Sequence, residues 1–173
     1  MSESARIAVY TGSFDPVTLG HLNVIRRSSQ LVDRLIVGIG INVEKSTLFT
    51  PQERTEFVQR ATANLDNIEV RSFTGLAVHF VRQQGARVMI RGLRPLTDIA
   101  SEITMLMANR QLDHDIETIF LMADSNLAHV SSSLIKQITP LADDTMLSKF
   151  LPAEIVADVR ARVEQENQPD GLG

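Results

Sequence analysis

Four short stretches of this sequence carry side chains suited to gripping anions. The first, Gly12-Ser13-Phe14-Asp15-Pro16-Val17-Thr18-Leu19-Gly20-His21, combines a glycine that admits close backbone approach, a serine hydroxyl and a histidine. The histidine falls in the first turn of an expected helix, where free N–H groups and partial positive charge favour a phosphate. The second, Arg91-Gly92-Leu93-Arg94, sets two guanidinium forks around a glycine at an expected strand end. Such forks match phosphate oxygens in pairs. The third, Ser131-Ser132-Ser133, precedes an apolar helical pattern and offers a cap with free amides. The fourth is Lys45 in Glu44-Lys45-Ser46-Thr47-Leu48-Phe49, a cation that can reach two phosphoryl groups at once. Each stretch alone has an ordinary reading: a Thr18 cap with His21 on a solvated face, a solvated lysine, surface arginines in ion pairs, a plainly capped helix. Asp15 reads equally as a turn residue or as a water-mediated contact to a metal ion.

The elements that must position these residues alternate along the chain. Apolar β-forming runs at 5–10, 35–41, 68–72, 88–90 and 117–122 read as strands. Helical spacing falls at 19–32, at 51–64 with Phe57, Val58 and Ala61 inward, at 76–84 closed by Gly85, at 98–112 with Ile99, Ile103, Leu106 and Met107 on one face, at 131–138 and at 152–166. Thr50-Pro51-Gln52-Glu53 is a helix start with a capping box and proline in the first turn. Strand–helix alternation with strands apolar on both faces implies an α/β fold: a Rossmann-like, doubly wound parallel five-stranded sheet with helices on both faces, one domain over 1–166 and a frayed tail over 167–173. Ligands of such sheets sit beyond the carboxyl ends of the strands, near the switch in strand order. The anion-gripping stretches all fall in loops of that kind.

Composition narrows the classes. The chain has 173 residues, 43% hydrophobic and 22% charged, with no cysteine and a net charge of −4. A chain of this length buries about 70% of its unfolded surface and needs no staple. Thiolate zinc sites, iron–sulfur clusters and a cysteine nucleophile are excluded. The charge argues against a nucleic-acid partner, and no apolar run approaches the roughly 20 residues of a membrane span. Met1-Ser2-Glu3-Ser4 lacks the order of a signal peptide, so the expected location is cytoplasmic. His79, His114 and His129 share no metal-ligand spacing. No glycine precedes a lysine, which excludes a Walker-type phosphate loop, and Gly38-Ile39-Gly40 lacks the third glycine of a dinucleotide fingerprint.

Thr18-Leu19-Gly20-His21 resembles the Thr/His-x-Gly-His signature of the adenylyl- and cytidylyltransferases. Within them the sequence is most similar to the phosphopantetheine adenylyltransferase family: Lys45 precedes Phe49-Thr50-Pro51-Gln52-Glu53-Arg54, Arg91-Gly92-Leu93-Arg94 follows, and Val130-Ser131-Ser132-Ser133-Leu134-Ile135-Lys136 matches a family string. The likeness runs in order from about residue 7 to 152. It departs at Thr11, Leu19, Ser101 and Leu127, the last two bearing on nucleobase contacts rather than on phosphate chemistry. The resemblance implies adenylyl transfer from ATP to 4′-phosphopantetheine, with dephospho-coenzyme A and pyrophosphate as products. It implies His21, Lys45, Arg94 and Ser13 as the catalytic group. Ser13, Lys45, Ala77 and Arg91 would bind phosphopantetheine. ATP would meet Ser13, Phe14, His21, Gly92, Leu93, Arg94, Glu102, Leu127, Ala128, His129, Val130, Ser131, Ser132 and Ser133, with Mg²⁺ carried on the nucleotide and no protein metal site. A homohexamer and coenzyme A as a feedback ligand are implied as well. Two other readings stand beside it: a pyridine-nucleotide adenylyltransferase or cytidylyltransferase with similar phosphate loops, and a nucleotide-binding sensor without catalysis.

Overall fold

The computed structural model describes residues 5–44, 46–93 and 99–167. The chain runs β1 (Ile7–Gly12), α1 (Leu19–Ser29), β2 (Arg34–Ile41), α2 (Pro51–Ala61), β3 (Ile68–Thr74), α3 (Ala77–Gln83), β4 (Val88–Leu93), α4 (Ile99–Leu112), β5 (Glu117–Met122), α5 (Ser132–Ile138), α6 (Asp144–Leu147), a 3₁₀ turn (Ala153–Ile155) and α7 (Val156–Asn167). The strands form one sheet in the order β3-β2-β1-β4-β5, every pair parallel.

The strand order explains the two-faced hydrophobicity of the central strands. Alternate side chains of β1 point to opposite faces. Ala8 and Tyr10 pack with Val24 and Ile25 of α1, Phe57 and Val58 of α2, Ile135 of α5 and Val159 of α7. Val9 packs on the other face with Val78, Phe80 and Val81 of α3 and with Met89. The winding direction reverses between β1 and β4. Their carboxyl ends therefore part company at Gly12 and Arg91, and a crevice opens there.

The capping box expected at the start of α2 is formed. Glu53 N–H donates to Thr50 Oγ1 at 3.3 Å, and Thr50 N–H donates to Glu53 Oε2 at 2.8 Å. Phe57, Val58 and Ala61 are buried, as their spacing requires. Several elements differ from the sequence reading: α2 stops at Ala61 rather than near 64, β3 runs on to Thr74, and β4 runs on to Leu93, so Arg91 and Gly92 lie in the strand and not in the loop after it. Helix α1 stops at Ser29, and Val32 leads into β2. A short helix, α6, capped by Asp143, follows α5 in a stretch to which the sequence reading assigned no element. Helix α4 keeps its expected span from Ile99, but within it only Asn109 is buried. Ile99, Ile103, Met105 and Met107 are all exposed on this chain. No helix among the described residues is long and apolar enough to cross a membrane.

Candidate active site

The β1–α1 loop is shaped by packing before any ligand is considered. Phe14 sits in the left-handed region at φ 48°, a conformation uncommon for a residue with a Cβ. Its ring is buried edge-on between Tyr10, 5.3 Å away, and His21, 5.1 Å away. A Cβ on Gly12 would meet that ring at 2.9 Å, and one on Gly92 would meet the Tyr10 hydroxyl at 2.7 Å. Both glycines are thus required for β1, β4 and the loop to approach one another.

His21 closes the cap of its own helix. Thr18 is the N-cap residue, His21 N–H donates to Thr18 Oγ1 at 3.3 Å, and Thr18 N–H donates back to His21 Nδ1 at 3.1 Å. The imidazole thus takes the place usually held by Glu or Gln in a capping box. An N–H directed at Nδ1 requires a lone pair there, so the neutral ring carries its proton on Nε2. Of the two readings left open for Thr18 and His21, the cap is formed, and the His21 side chain that completes it also lines a cavity at the crevice.

Two cavities meet at the crevice. One, of about 260 Å³, is lined by Gly12, Ser13, Phe14, His21, Arg91, Gly92, Leu93, Glu102, Leu127, Val130 and the three serines Ser131, Ser132 and Ser133. The other, of about 420 Å³, is lined mainly by Phe73, Leu76, Ala77, Met89, Met105 and the buried Asn109. Thr11, Gly12, Ser13 and Arg91 belong to both walls. Ala128 and His129 line neither cavity, and His129 faces the Phe150 ring at 6.1 Å. Lys45, Arg94 and positions 168–173 of the expected tail lie outside the described residues.

Charge at the crossing of the cavities is tightly organised. Arg91 grips Glu102 in a two-point pair, Nε–Oε2 2.9 Å and Nη2–Oε1 2.6 Å, and its Nη1 donates to the Thr11 carbonyl at 2.9 Å. Sequence reasoning found Arg91 and Glu102 separately but not their pairing, which joins β4 to α4. Arg54 was missed as a site residue. Its guanidinium is buried beneath the loop and donates to the carbonyls of Ser13 at 2.8 Å and Gly40 at 3.2 Å. Burial pushes this guanidinium below its ordinary value, and the Asp15 carboxylate opposes the shift. The arginine of the Glu53-Arg54 pair was the available signal, because a cation one turn inside a capped amphipathic helix falls on its buried face. The described residues contain no cluster of three or more His, Asp or Glu able to hold a metal ion.

The arrangement suits a reaction between two anionic phosphates brought end to end at Ser13 and Arg91. Comparison with known proteins shows the family. The cytidylyltransferase-like family model matches residues 9–138. A phosphopantetheine adenylyltransferase of Rhodopirellula baltica is 62% identical over 161 residues, covering 92% of this chain and 90% of its own. One from Clostridium beijerinckii is 40% identical over 158 residues, covering 91% and 98%. A crystal structure from Vibrio parahaemolyticus, whose name assigns it to the nicotinate-nucleotide adenylyltransferases, superposes with a TM-score of 0.66 at 15% identity, covering 95% of this chain and 98% of its own, and so shares the fold. With its parallel sheet, its Thr18–His21 cap and its paired cavities, the chain belongs to the phosphopantetheine adenylyltransferase family of the cytidylyltransferase-like proteins.

Proposed function

We propose that this enzyme transfers the adenylyl group of ATP to 4′-phosphopantetheine, releasing pyrophosphate and dephospho-coenzyme A, in the cytoplasm where ATP is held. The single observation that carries the reading is the wall shared by the two cavities. One chamber is lined by His21 and hydroxyls, and the other largely by apolar side chains around one buried amide. The first fits a nucleotide and the second an extended pantetheine arm, so their two phosphates meet at Ser13 and Arg91.

In the step itself an oxygen of the pantetheine phosphate forms a bond to the α-phosphorus as the bond from that phosphorus to the β-bridging oxygen breaks. The leaving pyrophosphate takes the electron pair. The nucleophile is already anionic near neutral pH, so no strong general base is needed and no covalent enzyme intermediate forms. What the protein supplies is position and charge. His21 donates from Nε2 to the α-phosphate. Ser13 and Lys45 orient the attacking and α-phosphoryl oxygens, and Arg91 grips the acceptor phosphate with Ala77 beside the arm. Arg94 and Ser131 to Ser133 steady the leaving pyrophosphate, while Phe14, Gly92, Leu93, Glu102, Leu127 and Val130 enclose the nucleotide; Ala128 and His129, outside both chambers, take no part in that wall. Mg²⁺ carried on the phosphates of ATP would add to this charge neutralisation. Coenzyme A, which contains the product's two halves, would compete for the same two chambers as a feedback ligand.

The test is pyrophosphate release with ATP, Mg²⁺ and phosphopantetheine. Release only with phosphopantetheine is expected. Turnover with nicotinate mononucleotide, or with CTP in place of ATP, would redirect the assignment within the superfamily. ATP binding without turnover on any acceptor would leave a sensor instead.

We read the exposed apolar side of α4, with Ile103 and Met107, as the surface of a homohexamer. Light scattering on the purified protein should then give six times the 19.2 kDa chain mass. A single chain mass at micromolar concentration contradicts this assembly.

A further inference from the structure

Asp15 is buried, 5% exposed, in the middle of the β1–α1 loop. Its carboxylate receives three donors from two distant segments. Oδ1 accepts from Phe49 N–H at 2.9 Å, Oδ2 accepts from Leu48 N–H at 3.0 Å, and Lys136 Nζ of α5 also donates to Oδ2. A second tie runs beside it, from Ser132 Oγ to the Pro16 carbonyl at 2.8 Å. From beneath, Arg54 holds the Ser13 carbonyl. With three donors on its two oxygens, Asp15 is engaged in holding protein. What it joins is specific: the loop bearing Ser13 and His21, the residues leading into α2, and the helix that follows Ser131 to Ser133.

We infer that Asp15, through Lys136 and the Leu48 and Phe49 amides, is a positioning residue for adenylyl transfer, locking the hydroxyl wall of α5 to the β1–α1 loop. The inference rests on the adenylyl-transfer reading above. A buried carboxylate held by a lysine and two amides resists displacement, because each donor lost leaves charge without compensation. The two walls it ties together both line the nucleotide chamber. A relative shift of about 1 Å between groups that must align on one phosphorus costs on the order of 10²-fold in rate.

Lys136 is the accessible half of the pair, its side chain 35% exposed against 6% for Asp15. Lys136→Met is therefore the primary variant, Lys136→Arg the conservative one, and Asp15→Asn the third. Turnover of the unsubstituted enzyme, with ATP and phosphopantetheine, is measured first. No product from it tells against adenylyl transfer itself. Given turnover, Lys136→Met should lower kcat by about 10–100-fold with ATP affinity by calorimetry changed by only about threefold. Lys136→Arg should recover most of the loss. Asp15→Asn combined with Lys136→Met should cost little more than either alone, as expected of groups acting as one unit. Ordinary kcat in a folded Lys136→Met enzyme overturns the role, and so does a loss in kcat that Lys136→Arg leaves unrepaired. If Asp15→Asn does not fold, the two Lys136 variants decide the matter alone.

Discussion

Replacing His21 with alanine should cut turnover by about 10²–10³-fold, the usual effect of deleting one donor aimed at developing charge. ATP affinity should change far less. The ring's Nδ1 is engaged by the Thr18 N–H at 3.1 Å, so its donor edge is Nε2–H, oriented before substrate arrives. A donor fixed in this way contributes most where negative charge grows, on the non-bridging oxygens of the α-phosphorus during transfer, and less to ground-state ATP. Alanine also removes the Thr18 N–H to Nδ1 half of the capping box of α1, one hydrogen bond, so stability falls by about 0.5–1.5 kcal/mol. His21→Gln separates the two effects. Glutamine at this helix position can still reach back to the Thr18 N–H. Its melting temperature should stay near that of the parent while kcat still falls by about 10²-fold. Pyrophosphate release and ATP calorimetry on both variants check this. If alanine and glutamine variants lose ATP binding and turnover in equal measure, His21 binds the ground state and the donor role is wrong.

That dual use of His21 shows how far the sequence could be read. Local signals worked where the physics is local. Thr50-Pro51-Gln52-Glu53 specified the start of α2, because cap, ring constraint and carboxylate act within one turn. Continuous apolar runs identified buried strands, because both faces of β1 and β2 are covered. Strand order was not legible beyond its class, since pairing β1 with β4 depends on crossovers rather than on residues of either strand. The family motifs named the loops that converge, and Ser13, His21, Arg91 and the serines do line one chamber. The links between those loops lay beyond any motif: Asp15 to Lys136 spans 121 residues, and Arg91 to Thr11 spans 80. The exposed Ile103 and Met107 mark the converse limit. Helical spacing reveals an apolar face but not whether its cover comes from the same chain.

The second large effect concerns Arg91, and it depends on a partner that the sequence did not pair with it. In Arg91→Met the guanidinium between the two chambers is lost, and Glu102, only 15% exposed, loses a two-point ion pair. Two penalties then act together. The acceptor phosphate loses a charge-assisted fork, and an uncompensated carboxylate now lines the nucleotide chamber, where it repels both substrates. Truncating one member of such a pair costs about 2–4 kcal/mol, so kcat/KM for phosphopantetheine should fall by roughly 30- to 1,000-fold. The loss for ATP should be smaller, because His21 and the serines line the same chamber and are left in place to hold the nucleotide's phosphates. The double variant Arg91→Met with Glu102→Gln removes the repulsion but not the missing fork. It should regain about tenfold of the lost kcat/KM and most of the lost stability, which a carboxylate left without its partner sets at about 1–3 kcal/mol. Steady-state kinetics with each substrate varied in turn, together with melting curves, test the account. No recovery in the double variant would mean that Glu102 acts on the nucleotide directly, as the family resemblance first implied, rather than through Arg91.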